Sequence, residues 1–301
     1  MNVIVAGAGG FIGSKIVRRL LAGNNSVTSL VRRPETAIQG SRVVVGDLTE
    51  STTLKFEGDY DVVCHFAALT PIERNKQKLA KVNFEGTKNL FDSVKDRTRS
   101  FLYASGLAVF DPDVEGGVVT ETSQMNTDTE YVKMRIEAQR YLHEQCKDKG
   151  IDFTVVHFGD IVYGNGVSFK TMFIDRLKNG SFKIPGDGTY YKNFVHVDDA
   201  ANAVLAIIEK NAVNQSYIIT DSEPVLFKDF VYFAADKLGV KRPGTVPLIL
   251  ARAALGGELI KMLTKSMRAS NEKIRALYDF QYPSYEDGLA GVVDQILHSS
   301  P

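Results

Sequence analysis

Two hydrophobic rhythms alternate along the first half of the chain. Short, nearly continuous β-branched runs ("NVIVAG", "SVTSLV", "SRVVVGDL", "DVVCHFAA", "SFLYAS") are separated by stretches such as "SKIVRRLLA" and "LAKVNFEGTKNLFDSVK", whose apolar residues recur every three to four positions. Continuous apolar runs suit strands covered on both faces, and the helical rhythm suits a segment with one buried stripe. Strand, helix, strand in that order predicts βαβ units, hence an α/β fold with a doubly wound parallel sheet. "YVKMRIEAQRYLHEQCKDKG" predicts a long helix stopped at Gly150, and "DFTVVHF" predicts a further buried strand after it. From about residue 166 the texture changes to Gly- and Pro-marked loops with scattered helices, such as "VPLILARAALGGELIKMLT". This predicts a smaller, helix-rich lobe. The expected division is residues 1–165 for the sheet domain, with 189–215 returning to it, and 166–188 with 216–301 for the second lobe.

Composition narrows the partners more than the fold. A length of 301 residues fits one large or two coupled domains, and 44% hydrophobic residues fit a globular protein. The 36 basic and 36 acidic residues cancel, with no long single-sign run, so the overall field gives no reason to expect nucleic acid or an anionic membrane as partner. A small molecule, recognised locally, is expected instead. The two cysteines, Cys64 and Cys146, lack the paired spacing of a zinc or dithiol site and fit a reducing, cytoplasmic compartment. "MNVIVAGAGG" has no basic leader, and no uncharged apolar run reaches about 18 residues, so neither a signal peptide nor a membrane span is expected.

"VIVAGAGGFIGSKIVRRL" places Gly7, Gly10 and Gly13 on a strand-to-helix turn. Glycine is needed there when the backbone must turn sharply and approach a pyrophosphate at a helix N-terminus, whose free N–H groups favour anions. This turn after the first strand predicts dinucleotide binding on a Rossmann-type sheet. About 20 residues on, an NAD site usually carries an acid for the ribose hydroxyls. Here Val31 stands at that place, and Arg32 and Arg33 follow it. Two guanidiniums can hold a 2′-phosphate and stack on adenine, so NADP is favoured and NAD stays possible; the alternative is a pair of surface charges at a strand end.

By its motifs the chain resembles the extended short-chain dehydrogenase/reductase family, which includes nucleotide-sugar epimerases and dehydratases and, in a related branch, sterol dehydrogenases and flavonol-type reductases. The resemblance runs nearly end to end. "GAGGFIG" matches the glycine motif, with Phe11 and Ile12 inside it, and "GDL" puts Asp47 and Leu48 where the family contacts adenine. "HFAAL" supplies Phe66, Ala67 and Ala68 at the cofactor loop after the fourth strand, with Thr70 beyond it on the substrate side. "VNFEGTKNL" supplies Asn83 on a helix that backs the active site. "GDIVYGNG", "PGDG", "NFVHVDDAANAV" and "SEPVLFKDF" match later segments. A basic residue before "FVHVDD" often holds substrate phosphate in the nucleotide-sugar members, which implies that role for Lys192, with a solvated loop lysine as the alternative. His65 and His196 have no ligand-spaced partners, so structural or cofactor-loop roles are expected and no metal. Asp198 and Asp199 read as the N-terminal charges of a helix.

The resemblance also implies a catalytic tyrosine, a lysine four residues later and a serine or threonine that orients the substrate oxygen. Tyr131 stands at the tyrosine position, and Arg135 replaces the lysine. A spacing of four puts both on one helix face, whereas Lys133 points elsewhere. A tyrosine ionises near about 10, so acid–base work close to neutrality asks for about 4 kcal/mol of help. A cation about 4 Å away supplies energy of that order. Arg135 could fill the electrostatic role, but a guanidinium is planar and practically never deprotonated, so it cannot join a proton relay. Gly106 occupies the usual serine position, which leaves Ser105 as a variant helper, and His157 and Phe158 stand where the family shows Arg and Pro.

The reading is therefore an NAD(P)-dependent epimerase, dehydratase or reductase using Tyr131, Arg135 and Ser105. A nucleotide sugar is the expected substrate, and a sterol-, flavonol- or aldehyde-like molecule is the alternative. A protein of the same fold that binds cofactor without turnover is a further reading, and the family habit implies a homodimer.

Overall fold

The computed structural model describes residues 1–126, 128–221 and 223–298. The chain divides into two compact units. The first comprises Met1–Val109, Met125–His157 and Ala201–Tyr217; the second comprises Phe110–Gln124, Phe158–Ala200 and Ile218–Pro301.

The first unit is built on β1 (Asn2–Ala6), α1 (Phe11–Ala22), β2 (Ser26–Val31), β3 (Arg42–Val45), β4 (Tyr60–His65), α2 (Lys76–Ala80), α3 (Gly86–Val94), β5 (Thr98–Gly106), α4 (Glu130–Lys149) and β6 (Asp152–Phe158). With the strand Ser216–Ile219 these make a seven-stranded sheet in the order Ser216–Ile219, β6, β5, β4, β1, β2, β3. The β1–β2, β2–β3, β1–β4 and β4–β5 pairs are all parallel. This is the predicted Rossmann-type α/β sheet. Val3, Ile4, Val5 and Ala6 are all fully buried, which is why β1 reads as a continuous apolar run. The chain leaves β1 first towards β2 and β3, then returns to β4 on its other side. That reversal opens a crevice at the carboxyl ends of β1 and β4.

Local chemistry sets the helix ends. Thr129 caps α4 by accepting from the Val132 N–H at 3.2 Å, and Gly150 stops it in the left-handed region, as expected. Between α2 and α3 the helix widens into a π-helical turn, Lys81–Glu85, which the apolar rhythm did not announce.

The second unit has an aromatic core. The rings of Phe194 and Phe230 stack at 3.9 Å and 8°, with Phe173, Tyr163 and Tyr285 around Phe230. Beside it runs a polar seam. Lys192 is 1% exposed, and its ammonium donates to Asp160 Oδ1 at 3.3 Å and to the Met262 carbonyl at 3.0 Å. Asn193 donates to Asp160 Oδ2 from its backbone and its side chain.

One expectation is corrected here. Asp198 and Asp199 do lie in the first turn of a helix, Val197–Glu209, but Asp199 is fully buried and does more than complement a helix end. Its carboxylate accepts from Tyr278 Oη at 2.5 Å and from the N–H groups of Gln281 and Tyr282 at 2.8 and 2.9 Å. Among the described residues, no helix is long and apolar enough to cross a membrane.

Phe230→Ala removes the ring at the centre of the second unit's core. It is expected to cost about 3–5 kcal/mol, read from the denaturant midpoint.

Candidate nucleotide cleft and catalytic helix

The turn from β1 into α1 leaves no room for a side chain at its glycines. Gly7 has a φ of 85°, and a Cβ on it would lie 2.7 Å from the Ala67 nitrogen; a Cβ on Gly13 would lie 2.2 Å from the Gly7 carbonyl oxygen. Gly10 N–H closes the turn on that oxygen at 2.9 Å. No side chain caps α1 and no acid occupies its first turn, so the N–H groups of Phe11, Ile12 and Gly13 remain available to an anion.

Next to this turn lies a cavity of about 290 Å³. Gly7, Gly10, Arg32, Arg33, Asp47, Leu48, Phe66, Ala67 and Ala68 line it, all of them positions marked by the sequence; Gly9, Thr36, Leu69 and Val82 line it as well. Gly9 was visible within "GAGG", whereas nothing local marks Thr36 or Val82. Asp47 Oδ1 accepts from the Thr49 N–H and hydroxyl, both at 2.8 Å, and the backbone bond is the main reason its carboxyl is held below the usual carboxylate range. Arg32 has no ion pair among the described residues, whereas Arg33 Nε lies 3.6 Å from Glu35 with both side chains exposed. A turn that only glycine fits, free helix N–H groups, two guanidiniums and a carboxylate suit a dinucleotide's pyrophosphate and adenosine.

Asn83, in the π-helical turn, is fully buried, and both ends of its amide are taken up by one residue. Oδ1 accepts from the Leu69 N–H at 2.8 Å, and Nδ2 donates to the Leu69 carbonyl at 2.9 Å. Asn83 thus fixes the 66–70 loop, and Thr70 at its end is exposed. His65 Nε2 meets Thr87 Oγ1 at 2.9 Å, which ties β4 to α3.

Tyr131 occupies the first turn of α4 and is half-buried; Lys133 is exposed. Arg135, one turn further, is only 5% exposed. Its guanidinium donates to the Ala104 carbonyl and stands 4.6 Å from the centre of the Tyr103 ring. Among the described residues no carboxylate pairs with it. Burial keeps the groups nearby neutral. Burial, reinforced by the Arg135 charge, brings His65 down to about 3. His157 also falls to about 3, with burial the largest cause. Burial pushes the Tyr103 phenol up to about 12 against the opposing pull of Arg135. Ser105 Oγ is shut away from solvent without a hydrogen-bond partner, so in this conformation the hydroxyl proposed as a helper is not presented to a substrate.

Phe158 and Lys192, marked for cofactor and substrate, belong to the second unit. Phe158 is 5% exposed. Lys192 is not a solvated loop lysine: burial holds its ammonium below the usual lysine range, partly offset by Asp160. Asp160 and Met262 already engage two of that ammonium's three donors. Among the described residues, no three His, Cys, Asp or Glu side chains are grouped to hold a metal ion.

The model of the NAD dependent epimerase/dehydratase family matches residues 3–220. A 3-diazoavenalumate denitrifying reductase from Streptomyces sp is 27% identical over 303 residues, covering 96% of this chain and 99% of that protein. Among solved structures, the UDP-glucose 4-epimerase of Thermus thermophilus in complex with NAD has a TM-score of 0.85 at 20% identity, covering 100% of each chain. A human epimerase family protein with NADPH has a TM-score of 0.80 at 18% identity, covering 98% of this chain and 99% of that one.

Asn83→Ala removes both bonds to Leu69 and leaves a partly buried N–H and C=O without their partner. The expected loss is about 1–3 kcal/mol, with hydrogen exchange at the Leu69 amide accelerated more than at the β1 amides.

Proposed function

Because the chain belongs to the NAD dependent epimerase/dehydratase family, we propose that it is an NADP-dependent reductase acting on a small organic carbonyl compound. The observation that carries the cofactor half is the cleft of Gly7, Arg32, Arg33 and Asp47, with Arg32 unpaired. The substrate half rests on Lys192, whose ammonium is buried against Asp160 and Met262, and on likeness to a ketoreductase, 27% identical over 89% of this chain.

In this reading the Gly7–Gly13 turn and the first N–H groups of α1 hold the pyrophosphate. Asp47 takes the adenosine, and Arg32 takes the 2′-phosphate, with Arg33 beside it. The bound cofactor supplies the hydride for reduction. Tyr131 holds a proton on its phenol oxygen and gives it to the substrate oxygen as the carbonyl becomes an alcohol. Arg135, a positioning residue, fixes the end of β5 through the Ala104 carbonyl. Since a guanidinium does not deprotonate, Tyr131 regains its proton from water rather than through a lysine relay.

One observation favours a second reading, an epimerase or dehydratase of nucleotide sugars. A cavity of about 330 Å³ in the second unit is lined by Arg176, Lys183 and Lys241, cations that suit a diphosphate, and by Arg242, which is paired with Asp236.

A panel of aldehydes, ketones and nucleotide sugars separates the two readings. Loss of NADPH absorbance with a carbonyl compound supports the reductase. Interconversion of sugars without net loss of cofactor supports the epimerase, and tight cofactor binding with no turnover of any panel member supports neither. Tyr131→Phe is expected to lower kcat by about 10²–10⁴ with the NADP Kd changed less than about threefold. Arg32→Ala is expected to weaken NADP by about tenfold or more and to leave NAD nearly unchanged in calorimetry; equal losses would remove the 2′-phosphate assignment.

A further inference from the structure

The outer side of α4 carries a second cavity, of about 430 Å³, whose lining residues are separate from those of the nucleotide cleft. Its volume falls within the roughly 300–1,000 Å³ of small-molecule clefts. The inner wall is apolar. Ile151, just before β6, and Phe153 and Val155 within it contribute to it, alternating with residues that face the other side of the sheet.

The outer wall is cationic. Arg140 and Lys147 both line the cavity and lie seven residues apart on α4, and His143 between them has its ring 6.1 Å from that of Phe153. Both Arg140 and Lys147 are exposed, and among the described residues neither makes a hydrogen bond or ion pair through its side chain. Glu144, four residues from Arg140, also lines the cavity without pairing with it. An apolar wall asks for a hydrocarbon body, and two uncommitted cations ask for an anion that can accept from a guanidinium or an ammonium.

We propose that this cavity binds a small amphipathic carboxylate, an aryl or short aliphatic acid whose hydrocarbon part lies on Ile151, Phe153 and Val155 and whose carboxylate meets Arg140 or Lys147. The site is independent of the nucleotide cleft and of the reaction proposed above.

The test uses 4-phenylbutyrate as probe and 4-phenyl-1-butanol as its uncharged counterpart. Both are titrated by calorimetry into the full chain with NADPH at saturation, so that the nucleotide cleft is closed to them. Saturable binding of the acid is expected. The alcohol should bind about tenfold more weakly or worse, and the Arg140→Ala/Lys147→Ala double variant should weaken the acid by a similar factor. The same variant is expected to keep the wild-type melting temperature and NADPH Kd, which separates loss of the site from loss of the fold. Absence of saturable binding, equal affinity for acid and alcohol, or an unchanged Kd in the folded double variant would each overturn the assignment. So would displacement of the acid by rising NADPH in a titration begun without it.

Discussion

The contact on which the nucleotide cleft depends is backbone against backbone. Gly7 approaches Ala67 and Gly13 approaches the Gly7 carbonyl so closely that no side-chain atom fits between them. Glycine carries a conformational penalty of roughly 0.5–1 kcal/mol per position, which the one Gly10–Gly7 bond in the turn offsets only in part. Recovery comes from β1, whose apolar residues are fully buried between β2 and β4. A sheet strand with no exposed side thus holds a turn in which Gly7 and Gly13 have no room for a Cβ. The result is a concave surface of N–H groups at the point where the strand order reverses.

Arg135 imposes a different kind of constraint. A cation withdrawn from water normally needs a carboxylate, yet this one has a backbone carbonyl and the face of a phenol ring. Burial keeps the surroundings uncharged as well: it lowers His65 and His157, with the Arg135 charge assisting, and raises Tyr103 against the pull of that charge. The ends of β4, β5 and β6 therefore form a neutral frame around one fixed positive charge. Replacing a lysine by arginine here changes more than the size of a head group, because it turns a group that can exchange a proton into one that cannot.

Much of this was legible along the chain because it is local. The strand and helix rhythms announced the sheet, and the spacing of Gly7, Gly10 and Gly13 announced the turn, since each depends on neighbours a few residues away. What escaped is set by distant partners. Nothing around Lys192 says that its ammonium meets the carbonyl of Met262, 70 residues later, and a lysine beside Asn193 reads equally well as solvated. The π-helical turn that points Asn83 at Leu69 leaves the apolar spacing of "LAKVNFEGTKNL" almost untouched, so it is invisible to periodicity. Ser105 shows the same limit: adjacency to the glycine at 106 suggested a nearby hydroxyl, whereas the packing of β5 decides whether that hydroxyl is open.

Asp199 links the layout of the second unit to the order in which the chain is made. Its carboxylate is buried against Tyr278, Gln281 and Tyr282, which lie 79, 82 and 83 residues downstream. During synthesis from the N-terminus this acid is exposed, charged and hydrated long before its partners leave the ribosome. At roughly 5–20 residues per second that wait lasts several seconds. The β1–β5 sheet, by contrast, has all its strands within the first 106 residues. The nucleotide cleft is therefore complete in sequence while the second unit is still without its closing segment.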